Sequence, residues 1–138
     1  MIPELEVQKA IRDRLNSDQT VIALVPAANI LDTNQRPAPR PAIILGESQS
    51  VDEGTSLRRA HTRIFHTLHI WVREPSLERS KAIGGAIRAA MRLGRLALPE
   101  GLHCADLLVA SQRFMRDSDG EHSHGVVTLQ ILIAETLP

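Results

Sequence analysis

Histidines, one cysteine and a cluster of carboxylates are the side chains here with the chemistry for catalysis or metal binding. His122-Ser123-His124 would set two imidazoles on one side of an extended segment, with Asp117, Asp119 and Glu121 nearby. Such a set could hold a metal, yet spacing fixes no third ligand, and a solvated turn accounts for it better. Asp117-Ser118-Asp119-Gly120 lacks the later ligand positions and the closing glutamate of a calcium loop. His66 and His69 stand three apart in an extended run, so they point to opposite faces and cannot share a metal. His66, on the apolar face, is expected to be a hydrogen-bonded core residue. Cys104 has no defined base partner and reads as a buried thiol. Ser48 and Ser50 follow a strand, but the Gly-x-Ser-x-Gly spacing of a nucleophile elbow is absent. Gly84-Gly85 falls inside a helical pattern, not at its start, so it cradles no phosphate. These residues predict no catalytic group, no cofactor and no metal.

The elements that carry them are legible from periodicity. Pro3 suits a first helical turn, and Val7, Ile11 and Leu15 recur every four residues, which predicts a helix from 3 to about 16. Asp18 can cap a short second helix through Leu24. Residues 29–31 predict a short strand, and the alternating prolines of 36–41 an extended connector. Ala42 to Gly46 reads as a buried strand, and the polar stretch 48–59 as a long loop or arm. His61 to Arg73 is the longest strand candidate. One face carries Ile64, His66, Leu68, Ile70 and Val72. The other carries Phe65, Thr67, His69, Trp71 and Arg73, half apolar, as if something partly covers it. Ser76 is the expected N-cap of a helix with Ile83, Ala86, Ile87, Ala90 and Met91 on its buried side and Gly94 at its end. Two glycines inside that helix cost about 1 kcal/mol each relative to alanine, which implies close packing against the sheet or a neighbouring subunit. Leu102 to about Arg116 and Gly125 to Glu135 form a hairpin with its tip near 117–124. The order predicts an α+β fold: a mostly antiparallel sheet with two main helices on one face.

Composition narrows the function class. The length of 138 residues suits one domain, 1–138. Sixteen basic and sixteen acidic residues cancel, which disfavours a grip on nucleic acid through its phosphates. The three aromatics, Phe65, Trp71 and Phe114, leave little to stack bases or sugars. One cysteine rules out a disulfide framework. No apolar run has the roughly 18 residues of a membrane span, and the acidic start lacks the order of a signal peptide. A soluble intracellular protein is expected.

Three stretches, in order, carry a resemblance. The first is the helix opening Pro3-Glu4-Leu5, followed by Asp18 to Leu24. The second is Leu68-His69-Ile70-Trp71-Val72-Arg73, then Glu78 to Met91 around Lys81-Ala82-Ile83. The third is Arg116-Asp117-Ser118-Asp119-Gly120, then His124-Gly125-Val126. Over residues 3 to 135 the chain resembles the tail-completion or tail-terminator proteins of long-tailed phages, prophages and gene transfer agents. The resemblance implies a structural role without an active site. It implies a homo-oligomer, a hexameric ring that caps the tail tube and joins it to the head–neck connector. The implied partners are the major tail-tube protein and a connector or stopper protein. DNA would be passing cargo only, and no membrane is involved. The expected location is the tail–neck junction of a particle assembled in a bacterial cytoplasm. A head-side stopper of the same particle is the nearest alternative. A small metal protein using His122 and His124, and a monomeric adaptor using a sheet edge, are rivals of other classes. Interface candidates are Arg58 and Arg59 in the arm, Trp71 on the second sheet face, and Arg88 and Arg92 on the helix.

Overall fold

The computed structural model describes residues 2–32 and 39–136. The chain runs α1 (Pro3–Ser17), α2 (Gln19–Leu24), a 3-10 turn (Ala27–Asn29), β1 (Ile30–Leu31), β2 (Ala42–Asp52), β3 (His61–Arg73), α3 (Glu78–Met91), β4 (Leu102–Arg116) and β5 (His122–Glu135). The five strands form one sheet in the order β1-β2-β3-β5-β4. Only the short β1–β2 pairing is parallel; the other three are antiparallel. This is the expected α+β arrangement.

Alternation in the long strands divides the sheet into two unlike faces. On the inner face, Ile64, Leu68 and Ile70 of β3 and Val127, Leu129, Ile131 and Ile133 of β5 are fully buried. The helices lie on that face. α1 contributes Val7, Ile11 and Leu15, and α3 contributes Ile83, Ile87, Ala90 and Met91 to the same core. Each fully buried Leu, Ile or Val contributes roughly 1.5–3 kcal/mol of transfer free energy, so the fold rests on this interface. The two main helices are tied at one end. The Arg14 guanidinium donates to the carbonyls of Gly94 (2.6 Å) and Arg95 (2.7 Å), just beyond the end of α3.

Capping agrees with the sequence in one place and not in another. Asp18 Oδ1 accepts from the amides of Thr20 and Val21, both at 3.0 Å, as expected of the α2 cap. For α3, the N-cap position falls on Leu77 instead of Ser76. Ser76 Oγ still accepts from the Glu78 amide (3.2 Å), and the carboxylate of Glu74 takes the next amides, those of Arg79 (2.9 Å) and Ser80 (3.0 Å). A carboxylate suits the positive end of a helix dipole, and Glu74 is buried, so its charge acts through little solvent. At the other end the C-cap is Arg92, two residues before Gly94, whose φ of +101° turns the chain away.

Two loop boundaries also move. Residues 48–52 are strand, not arm: β2 continues after a register shift between Leu45 and Ser48 and pairs with β3 as far as Asp52–Thr62. The arm is therefore the shorter loop 53–60. The hairpin tip ends at Glu121, because β5 starts at His122 and pairs with Arg73 of β3. Half of the proline connector, residues 36–38, lies outside the described residues.

The two helical glycines part company. A Cβ on Gly84 would lie 2.6 Å from Phe114 Cζ, so this glycine is required by helix-on-sheet packing. A Cβ on Gly85 would meet nothing within 4 Å, and Gly85 is exposed.

Candidate functional site

The outer sheet face carries no helix among the described residues. Phe65, Thr67, His69 and Trp71 of β3 stand on it half-buried, beside His124, Val126, Thr128, Gln130 and Leu132 of β5. Its most organised part is where β2, β3 and β5 meet. Trp71 pairs with Ala42 on one side and His124 on the other, and His69 pairs with Ile44 and Val126. The Trp71 and His124 rings stack at 3.9 Å with a 9° tilt, and His69 stacks on His124 at 5.2 Å. His69 Nδ1 and His124 Nε2 are 2.9 Å apart, so one ring nitrogen donates to the other's lone pair. On its far side, His69 Nε2 faces Glu47 Oε1 at 3.3 Å. Ring stack, Glu47, Asp32 and the strand segment Ile44-Leu45-Gly46 line a cleft of about 490 Å³. Gly46 is required here: a Cβ would lie 2.8 Å from His69 Cδ2.

Electrostatics set the cleft's sign. Burial first, then the positive field of His69, pushes the His124 imidazole down from its ordinary value, against a smaller pull from Asp117. His124 is thus neutral at pH 7. Slight burial opposes the charge of Glu47, but a backbone hydrogen bond, His69 and Thr67 hold its carboxyl below the usual range. The cleft therefore offers two carboxylates beside a flat aromatic wall, a combination suited to an apolar or cationic group.

The hairpin histidines separate. His122 is buried, its Nδ1 faces Asp119 Oδ2, and it does not share a site with His124. Asp117, Asp119 and His122 do approach one another within 4.8 Å. The Asp119 carboxylate is taken up by the turn itself, while His122 Nε2 is buried without a hydrogen-bond partner among the described residues. Asp119 Oδ1 accepts from the amides of Glu121 (2.8 Å) and His122 (3.1 Å), and the Asp117 amide donates to the His122 carbonyl. This is turn chemistry, and it leaves His124 free to join the Trp71 stack.

His66 departs from expectation. It is fully buried, but neither ring nitrogen has a hydrogen-bond partner among the described residues. Burial pushes its imidazole down, so it sits in the core as a neutral, unsatisfied ring. Cys104 is buried and unpaired, as expected, with Sγ 3.4 Å from the Asp106 carbonyl.

The five interface candidates fall on three surfaces. Arg58 and Arg59 lie in the exposed loop 53–60, where Arg59 has a φ of 57° and pairs with Asp52 at 3.0 Å. Trp71 belongs to the cleft on the outer face. Arg88 and Arg92 are exposed on α3, on the opposite side of the sheet, with Lys81. Sequence reasoning placed Trp71 and His69 on one strand face, but not Glu47, Asp32 or His124 beside them. Glu47 fell at the edge of a stretch read as loop, and only the strand register reveals its place.

No helix among the described residues is long and apolar enough to cross a membrane. Comparisons with known proteins place this geometry. The chain is similar in structure to a protein of the virion of a native gene transfer agent particle. There the TM-score is 0.80 and the identity 17%, covering 95% of this chain and 96% of that one. It is similar also to the gp17 protein of bacteriophage SPP1, with a TM-score of 0.59 and 20% identity, covering 92% and 88%. At such identities these likenesses establish the fold. No match was found among curated proteins. The sequence profile of the family described as "Tail completion protein gp17" matches residues 9–134, nearly the whole chain. The chain therefore belongs to the tail completion protein gp17 family, a family of structural components of phage-like particles and not of enzymes.

Proposed function

We propose that six copies of this chain close into a ring that terminates the tail tube, joins the tail to the head–neck connector and lets DNA pass. One observation carries the reading: a family member with a bare, half-apolar sheet face opposite a helical face. A subunit in a closed ring needs two unlike contact surfaces, one for each neighbour, because ring contacts are heterologous. A soluble domain rarely leaves a large apolar patch uncovered, so the outer face suits such a contact.

Size and charge are consistent with that role. A 138-residue globule is about 37 Å across, and six in a ring leave a hole of comparable width, enough for a duplex. A chain with no net charge would pass DNA without holding it. The ring's partners would be the tail-tube protein on one side and a connector or stopper protein on the other.

Deleting the gene tests the proposal. The expected result is unjoined heads and tails of abnormal length, restored by supplying the intact gene. Normal DNA-transferring particles from the deletion would refute it. If the protein is instead recovered on isolated heads and never on isolated tails, it is a head-side stopper.

A further inference from the structure

We infer that the cleft on the outer sheet face receives the tip of the β2–β3 loop, residues 53–60, from a second copy of this chain. The inference rests on the ring reading and adds to it the two surfaces that meet. Each follows from its own chemistry.

The cleft has an apolar wall of Ile44 and Trp71, is floored by the backbone at Leu45 and Gly46, and carries the carboxylates of Asp32 and Glu47. Glu47 is well exposed and held in its charged form, so the site is anionic. Its complement is an apolar side chain next to a cation, and a guanidinium suits it best. Arginine stacks on aromatic faces and pairs with carboxylates through a planar fork.

The loop offers that complement. Leu57 is 97% exposed, more than any other large apolar residue described. Arg58 and Arg59 follow it directly, and both are exposed. A lone exposed leucine is ordinary. A leucine and two arginines at a loop tip, with Arg59 also paired to its own Asp52 at 3.0 Å, match an anionic cleft with an aromatic wall.

Placement makes the match intermolecular. The loop leaves one end of the β2–β3 ribbon and the cleft lies towards the other. From Asp52 back to Leu45 is roughly 23 Å of strand, and the loop extends further away. The loop of one copy therefore does not reach the cleft of that same copy. Tip-into-cleft contact uses two different surfaces of each copy, and such contacts continue from copy to copy until a ring closes. The rival cations, Arg88 and Arg92, lie flush on a helix on the other side of the sheet and do not project into a cleft.

Disulfide trapping of the full-length chain tests this directly. The only native cysteine, Cys104, is buried, while Leu57 and Glu47 are both exposed, so Leu57→Cys and Glu47→Cys should leave the fold intact. Under mild oxidation in the presence of purified tail tubes, the double variant should give a ladder of covalent species up to six copies. Each single variant should stop at dimers. As a second readout, Leu57→Asp should raise the concentration needed for half-maximal ring formation at least tenfold. Rings of the double variant, seen by native mass spectrometry, that yield no ladder would overturn the inference and leave the ring standing. Cross-links to the tube protein instead of to itself would also overturn it. A wild-type chain that forms no ring with tubes would remove both the ring and this contact.

Discussion

The two faces of the one sheet differ in what their side chains are for. Along β3, every second residue from Ile64 to Val72 is buried under helices, while Phe65, Thr67, His69 and Trp71 remain half-exposed. The inner face is filled by Ile, Leu and Val and holds the fold together. The outer face mixes rings, hydroxyls and an exposed carboxylate around a cleft, which is poor packing for a core and good chemistry for a contact. On the proposed ring reading, the division makes stability and assembly separable, since strand alternation gives each residue to one face.

Substitutions at matched positions should separate the two. The largest effect is expected inside: Ile131→Ala removes a fully buried side chain and should cost about 2–5 kcal/mol, read as a lower urea midpoint at unchanged slope. No truncation on the outer face should match it. Trp71→Ala, on that face, should lose less stability yet abolish ring formation; equal losses in both assays would contradict the division.

Next in size is Glu74→Ala. This buried carboxylate accepts from Ser123 Oγ at 2.6 Å and from two amides at the start of α3. The loss should be about 1–3 kcal/mol, the cost of leaving such groups unsatisfied. Burial opposes its charge, yet the Ser123 hydroxyl and the amides of Arg79 and Ser80 hold the carboxyl below 4.5. Its contribution is therefore full above that value and is lost as the pH falls through the folded-state value. His66 and His124 act in the same direction. Both imidazoles are pushed below 6.5, so the unfolded chain binds protons first and stability falls as pH drops below about 6.5. Urea titrations from pH 7.5 to 4 should show a steady decline, with His66→Leu flattening the upper part.

The smallest effects come from the adjacent glycines, and they should have opposite signs. Gly84→Ala forces Phe114 aside and should destabilise by about 1–3 kcal/mol. Gly85→Ala meets open space and should stabilise the helix by about 0.5–1 kcal/mol in thermal melts.

Much of the inner face was legible in the sequence, because periodicity there is strong. The helix at Val7, Ile11 and Leu15, the α3 stripe and the alternation of β3 and β5 all fall where the pattern puts them. The outer half was less legible. Residues 48–52 are polar apart from Val51 and exposed throughout, and no pattern distinguishes such a strand from a loop. His66 follows the apolar alternation correctly, but whether a buried ring finds a partner depends on neighbours across the sheet. At the start of α3 the short Ser76 side chain takes only the Glu78 amide, while the longer Glu74 side chain reaches forward to the next two, a reach that spacing alone does not reveal. The cleft was invisible for a further reason: Asp32, Glu47, His69 and His124 are scattered in sequence and meet only through strand register.

The central claim is that this protein acts by assembling into a ring at the tail end of a particle. Cryo-electron microscopy of purified particles carrying the tagged chain tests it most directly. Six copies in a closed ring at the junction of tail and neck are the predicted result. Particles that are complete without the chain, or that carry it as isolated copies, would contradict it.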